Sequence, residues 1–171
     1  MKIEDFIEYK DGLFFWKPRQ NDPKFNNRFA GKEALCEIRN DGYLGGRVNG
    51  ERLLAHRVVW YFETGNWPNK QIDHIDGNPK NNKFENLREA SNAENSRNSK
   101  SRKGSSKYKG IYWRSDKSLW RVQLMIDGKR KEIGHFKDEK EAARAYNLAA
   151  IEHFGEFAWV NEIQDSEENG D

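Results

Sequence analysis

The stretch NSRNSKSRKGSSK, residues 95–107, holds no apolar side chain, and a continuous hydrophobic core cannot run through it. A Ser-, Lys- and Arg-rich segment of this kind reads as a flexible basic linker. The residues on either side of it in this 171-residue chain must therefore form two small units. Charged residues make up 34% and hydrophobic residues 35%, so neither core can be large. Six Trp among 13% aromatics compensate, because each aromatic ring buries a large area. No internal repeat is visible.

The charge is unevenly spread. Residues 1–95 carry 15 basic and 15 acidic side chains, whereas residues 96–131 carry 12 basic against 2 acidic. The rest carries 3 basic and 11 acidic residues. The basic segment interleaves with Tyr108, Tyr112, Trp113 and Trp120. Most charge runs are solvated faces, but local imbalance with aromatic interleaving points to nucleic acid. The charged start MKIEDFIEYKDG resembles neither a signal peptide nor a membrane span, which predicts a cytoplasmic, unsecreted protein with no membrane partner. A single cysteine, Cys36, excludes an internal disulfide and a zinc ribbon, and reads as core or half-buried.

Period and turn signals predict an α+β chain. In the first half, GLFFWK (12–17) reads as a strand, and 42–58 as a hairpin turning at Asn49-Gly50. Residues 54–62 read as a helix stopped near Gly65, with Pro68 beyond it. QIDHID and LREAS read as strands around a loop, and Asn92 opens a helix. In the second half, 109–114, 119–126 and 129–136 read as three strands, the middle one alternating Trp120, Val122, Leu124 and Ile126 with polar positions. Asp138 with Glu141 forms a capping box, and Ala142, Ala145, Tyr146, Ala149 and His153 then share one helical face before Gly155. His153 on that stripe, like His135 beside a strand end, reads as structural.

Chemistry concentrates between positions 73 and 95. Phosphodiester hydrolysis needs an activated water, a cation opposing the charge that builds on phosphate, and help for the leaving oxygen. Imidazole suits proton uptake near neutral pH, and carboxylate and carboxamide oxygens suit a hard divalent cation. Asp73 and His74 offer the first pair, Asn95 a further oxygen at a helix start, and Asn86 a carboxamide able to orient the imidazole. Neighbours on a strand face opposite ways, so both residues can serve one site only across the strand's edge or through a twist. An isolated Asp-His pair is weak evidence. A calcium loop fails on spacing: with Gly77 at the glycine position, Ile72 and Lys83 fall where acidic ligands are needed.

The longer pattern HRVVWYF … IDHIDGNPKNNKFENLREASNAEN, from about His56 to Asn95, resembles the HNH endonuclease family in its phage-type homing branch. The resemblance implies a ββα-metal fold over residues 1–95, with the motif core at 54–95. It implies that Asp73 is a metal ligand, His74 the general base, Asn86 the asparagine that holds the histidine, and Asn95 the second metal ligand. Asn95 stands where many relatives have histidine, which favours one Mg²⁺ or Mn²⁺ per site over Zn²⁺. His56, Asn82 and Arg88 are expected to be structural or phosphate-contacting, and Asp76-Gly77-Asn78 to turn the chain.

Beyond the 96–107 linker, YKGIYWR, Trp120, IGHF and EAARAYNLAAIEHFGEFAWVN resemble the AP2/ERF DNA-binding domain over 108–161. That family lays a three-stranded sheet in the major groove, which implies contacts from Lys109, Tyr112, Arg114, Arg121, Gln123 and Arg130. Arg102 and Lys103 of the linker join them as backbone-following cations. Tyr112 replaces a usual arginine, and Trp120 shares its face with Val122 and Leu124, which favours core packing. Residues 162–171 read as an acidic tail. The combined expectation is a site-selective, metal-dependent endonuclease on double-stranded DNA, monomeric, without a small-molecule substrate, phage-encoded and acting in a bacterial host. The alternative is a DNA-binding regulator on a non-cutting HNH scaffold.

Overall fold

The computed structural model describes residues 2–99 and 104–164. The expectations for Arg102, Lys103 and most of the acidic tail lie outside these residues. The chain divides into two compact units, Met1–Asn92 and Ala93–Asp171. It is a mixed α/β structure built from small antiparallel sheets and short helices.

In the first unit, β1 (Ile7–Lys10), β2 (Leu13–Trp16) and β3 (Glu33–Ala34) form one antiparallel sheet, with α1 (Pro23–Phe29) between the last two in sequence. Asp22 caps α1 by accepting from the Phe25 N–H at 2.9 Å, and Pro23 occupies the first turn. A second sheet runs β4 (Glu37–Ile38), β5 (Leu44–Val48) and β6 (Glu51–Leu54). Asn49 and Gly50 turn β5 into β6 with φ of 48° and 85°, the left-handed pair that a two-residue hairpin requires.

The chain passes from β6 straight into α2 (Ala55–Thr64). Gly65 ends this helix in the left-handed conformation, its N–H donating to Tyr61 O. Val58 and Val59 are fully buried against Ile7, Phe14, Leu35, Val48, Ile72 and Leu87. Each such side chain contributes about 1.5–3 kcal/mol through burial. The helix thus fixes the floor under β7 (Gln71–His74), which pairs with β8 (Leu87–Ala90) in a separate two-stranded sheet.

The second unit begins in α3 (Asn92–Arg97) and continues through β9 (Ile111–Arg114), β10 (Leu119–Ile126), β11 (Lys129–Phe136) and α4 (Glu139–Phe154). The sheet order is β11-β10-β9, antiparallel throughout, with a bulge at Val122/Gln123. Val122 and Leu124 are buried under α4, with Trp120 and Ile126 partly buried beside them. Asp138 caps α4 at Glu141 N, 2.8 Å. Gly110 has φ of +78°, and a Cβ there would lie 2.2 Å from the Tyr146 ring, so no other residue fits.

Two expectations fail on packing. The buried face of α4 is Ala142, Ala143, Tyr146, Ala149 and Ala150, rotated from the stripe that included His153. His153 is exposed and meets Lys131 Nζ at 3.2 Å through Nε2, because the helix lies on its small alanines and Tyr146. Cys36 is likewise exposed, beyond the short β3, and not a core residue.

Candidate active site

β7 buries Ile72, Asp73 and His74 in succession, so both faces of this strand are covered. Asp73 stands opposite Arg88 of β8, and His74 opposite Leu87. The alternation expected of a strand therefore holds: the carboxylate and the imidazole leave β7 on opposite faces at its C-terminal end.

On one face, Nε and Nη2 of Arg88 both donate to Oδ2 of Asp73, at 2.9 and 2.7 Å. The two side chains are 13% and 4% exposed, a desolvated pair that would be costly to break from either side. Arg88 is thereby a partner of the expected metal-binding carboxylate.

On the other face, the imidazole of His74 meets an aromatic pocket. The Tyr43 ring lies 5.7 Å away and the His56 ring 5.2 Å away, edge to face, with Tyr43 and His56 themselves 5.1 Å apart. His74 Nε2 lies 2.9 Å from Asn82 Oδ1. With the carboxamide oxygen as acceptor, Nε2 is the nitrogen that donates. His56 is 5% exposed and its Nδ1 has no hydrogen-bond partner. Burial, with the neighbouring His74 and Arg57 charges adding to it, pushes its pKa down to about 3, so it stays neutral.

Asn86 has a different position from the one expected of it. Its carboxamide oxygen accepts from Asp76 N–H at 3.0 Å, and its Nδ2 donates to Asp76 Oδ1 at 3.0 Å and to Asn81 O at 2.8 Å. Its backbone carbonyl accepts from Ile75 N–H. The side chain thus clasps the 75–82 loop, and the carboxamide the structure sets on His74 Nε2 is that of Asn82, four residues earlier. Asp76 is the hub of this loop. Its burial acts to raise the carboxyl pKa, but hydrogen bonds from Asn81, Asn78 N–H and Asn86, with the His74 charge, hold it below the usual range. Gly77 turns the chain with φ of 65°, as expected of the Asp76-Gly77-Asn78 run.

Three participants were missed from sequence. Tyr43 closes the histidine pocket from β5's approach, 31 positions from His74, with no local signal. Arg57 donates to the carbonyls of Lys70 and Pro68, at 3.1 and 3.0 Å, and so anchors the entry to β7. The HR dipeptide at 56–57 was the available clue: one residue packs on His74 and the other holds its strand. Glu89 completes that anchor by accepting from the Asn69 and Lys70 N–H groups.

Asn95 lies on α3, within the second unit. Among the described residues, no group of three or more His, Cys, Asp or Glu is gathered as a metal cluster. The donors singled out, a carboxylate and a carboxamide, are all oxygen. That chemistry fits a hard divalent cation retaining much of its water, with Arg88 sharing the carboxylate.

In the sheet of β9–β11, Tyr112, Arg121 and His135 stand in register, and Gln123, Met125 and Arg130 continue the face away from α4. Tyr112 is 45% exposed and the Arg121 guanidinium lies 6.0 Å from its ring. Arg114 makes a double hydrogen bond to Asp116, at 2.8 and 2.7 Å. Lys109 departs from its expected place on that face: its ammonium donates to the carbonyls of Arg97 and Ser99. Burial lowers its pKa to about 8, still cationic at neutral pH.

Residues 53–97 match the family model described as HNH endonuclease. Over 114 residues the chain is 40% identical to an uncharacterized HNH endonuclease of Acanthamoeba polyphaga mimivirus, covering 66% of this chain and 59% of that one. It is 42% identical over 77 residues to protein 3.8 of Escherichia phage T7, covering 44% of this chain and 64% of the phage protein. A 57-residue segment is 37% identical to an AP2-like ethylene-responsive transcription factor of Arabidopsis thaliana, covering 33% of this chain and 13% of the plant protein. No solved structure matches. The chain thus spans about three fifths of the length of these two viral relatives, and the part that holds His74, Asn82 and Asn86 is the part that matches the HNH endonuclease family model.

Proposed function

We propose that the chain is a site-selective DNA endonuclease of the homing type, in which the first unit cuts and the second grips the duplex. One observation carries this reading: His74 is buried, and Asn82 fixes its Nε2 proton so that Nδ1 is the nitrogen that can take one. Nδ1 would remove the proton from the attacking water. Asp73 and Asn95 would hold Mg²⁺ or Mn²⁺; when bound, that ion opposes the charge building on the phosphate and on the departing oxygen. Because Asp73 and His74 leave opposite faces of β7, base and carboxylate would approach the phosphate from either side of the strand's end. Tyr43 and the neutral His56 exclude water behind the imidazole and keep its orientation.

Tyr112, Arg114, Arg121, Gln123 and Arg130 would meet DNA across the open face of β9–β11, an AP2/ERF-like mode supported by the plant transcription-factor likeness. Arg114 must exchange Asp116 for phosphate to do so. The protein would act as a monomer.

A second reading, a DNA-binding regulator on a non-cutting scaffold, draws on the Arg88 pair, which already neutralises Asp73. Supercoiled plasmid incubated with Mg²⁺, with EDTA, and with the His74→Ala variant separates the two. Metal-dependent cleavage abolished by His74→Ala supports the enzyme. DNA binding without metal-dependent cleavage supports the regulator, and cleavage indifferent to His74→Ala sinks the assignment of the base.

A further inference from the structure

A six-residue helix cannot hold itself together in water, so α3 needs outside support. Within the second unit, Lys109, Asp127 and Phe154 tie it down. The Lys109 ammonium donates at 2.6 Å to the carbonyl of Arg97 and at 2.6 Å to that of Ser99. These carbonyls lie at the end of α3, where helical partners run out and a cation is favoured. The Arg97 guanidinium lies 3.5 Å from Asp127, in the turn between β10 and β11, and 4.9 Å over the Phe154 ring at the end of α4.

Lys109 is itself held in place. Its N–H donates to Asn161 Oδ1 at 2.7 Å, and Asn161 Nδ2 donates to its carbonyl at 3.2 Å. Asn161 is 6% exposed and is bonded through its main chain to Asn147 of α4, at 2.8 and 2.9 Å. The next residue, Gly110, is pinned under Tyr146. A chain of contacts therefore runs from α4 through Asn147, Asn161 and Lys109 to the end of α3.

We propose that Lys109 is a positioning residue that clamps α3, the helix that carries Asn95, to the rest of the second unit. The importance of the clamp for ion binding rests on the reading of Asn95 as a ligand; the clamp itself does not. Lys109 is then not a phosphate contact, despite its place in the basic segment.

The test uses the full chain with Lys109→Met, which keeps the stem and removes the ammonium, and Lys109→Arg, which keeps cationic donors. Amide hydrogen exchange across 92–99 in metal-free buffer reads the clamp. Lys109→Met should speed exchange there by about tenfold and Lys109→Arg should restore most of the protection. Binding of Mn²⁺ alone, followed by electron paramagnetic resonance, should weaken by about tenfold in Lys109→Met and recover in Lys109→Arg. The salt dependence of DNA binding in EDTA should keep its slope. Unchanged exchange in Lys109→Met overturns the proposal. So does a slope shallower by about one unit with unchanged Mn²⁺ affinity, because that marks a phosphate contact. If Lys109→Met loosens α3 while Asn95→Ala leaves Mn²⁺ affinity unaltered, the clamp stands and the ligand role of Asn95 falls.

Discussion

The Nε2 of His74 and the Oδ1 of Asn82 face each other at 2.9 Å inside the first unit. A carboxamide oxygen at that distance orients the ring of the proposed base. Replacing Asn82 with Ala should lower kcat for plasmid nicking by about 10–100-fold and leave the KM for DNA nearly unchanged. Single-turnover nicking in saturating Mg²⁺ measures it. A loss confined to KM would mean that Asn82 contacts DNA and does not steer the imidazole.

Asn86 clasps the 75–82 loop with every hydrogen-bonding group of its carboxamide. Asn86→Ala leaves the Asp76 N–H and the Asn81 carbonyl without their partner and should cost about 3 kcal/mol. Urea denaturation reads the loss. Wild-type stability in an inactive variant would instead assign Asn86 to the chemistry.

The Asp73–Arg88 pair is desolvated on both sides. Arg88→Gln removes the guanidinium charge from a buried carboxylate and should destabilise the metal-free protein by about 3 kcal/mol. A cation bound at Asp73 replaces the missing charge, so Mg²⁺ should raise the Tm of the variant by more than that of the wild type. Equal Tm gains in differential scanning calorimetry would place the ion elsewhere.

His56 gives stability a pH dependence. Its pKa falls from 6.5 to about 3 on folding, so between those values the unfolded chain binds a proton that the folded chain refuses. Its contribution is complete above pH ~6.5 and is lost toward pH ~3, at up to about 1.4 kcal/mol per pH unit. Denaturant midpoints from pH 7 to 4 should fall more steeply in the wild type than in His56→Gln. Parallel slopes would remove His56 as the source.

Elements were legible wherever a period coincided with punctuation. The Asn49-Gly50 turn, the Gly65 stop and the Asp138 cap all sit at their expected positions. Each is a local backbone requirement that only a few residue types meet. His153 was misread because the helical stripe is wide, and small alanines shifted the packing face by a fraction of a turn. Within the site, the motif marks which residues gather but not which asparagine touches which neighbour. Asn82 and Asn86 lie in an aperiodic loop, where direction is set by hydrogen bonds that only the folded loop contains. Tyr43 was invisible for another reason: it reaches His74 from the loop that precedes β5, and nothing local in its sequence ties it to the histidine.

The alternation along β10 separates two kinds of position within one strand. Val122 and Leu124 are buried under α4, while Gln123 and the 51%-exposed Met125 point away with Arg130 beside them. What the sheet touches and what keeps it folded are therefore written in different letters of the same eight-residue word. A lineage, or a laboratory library, can rewrite the outward set while the inward set goes on packing against the same helix.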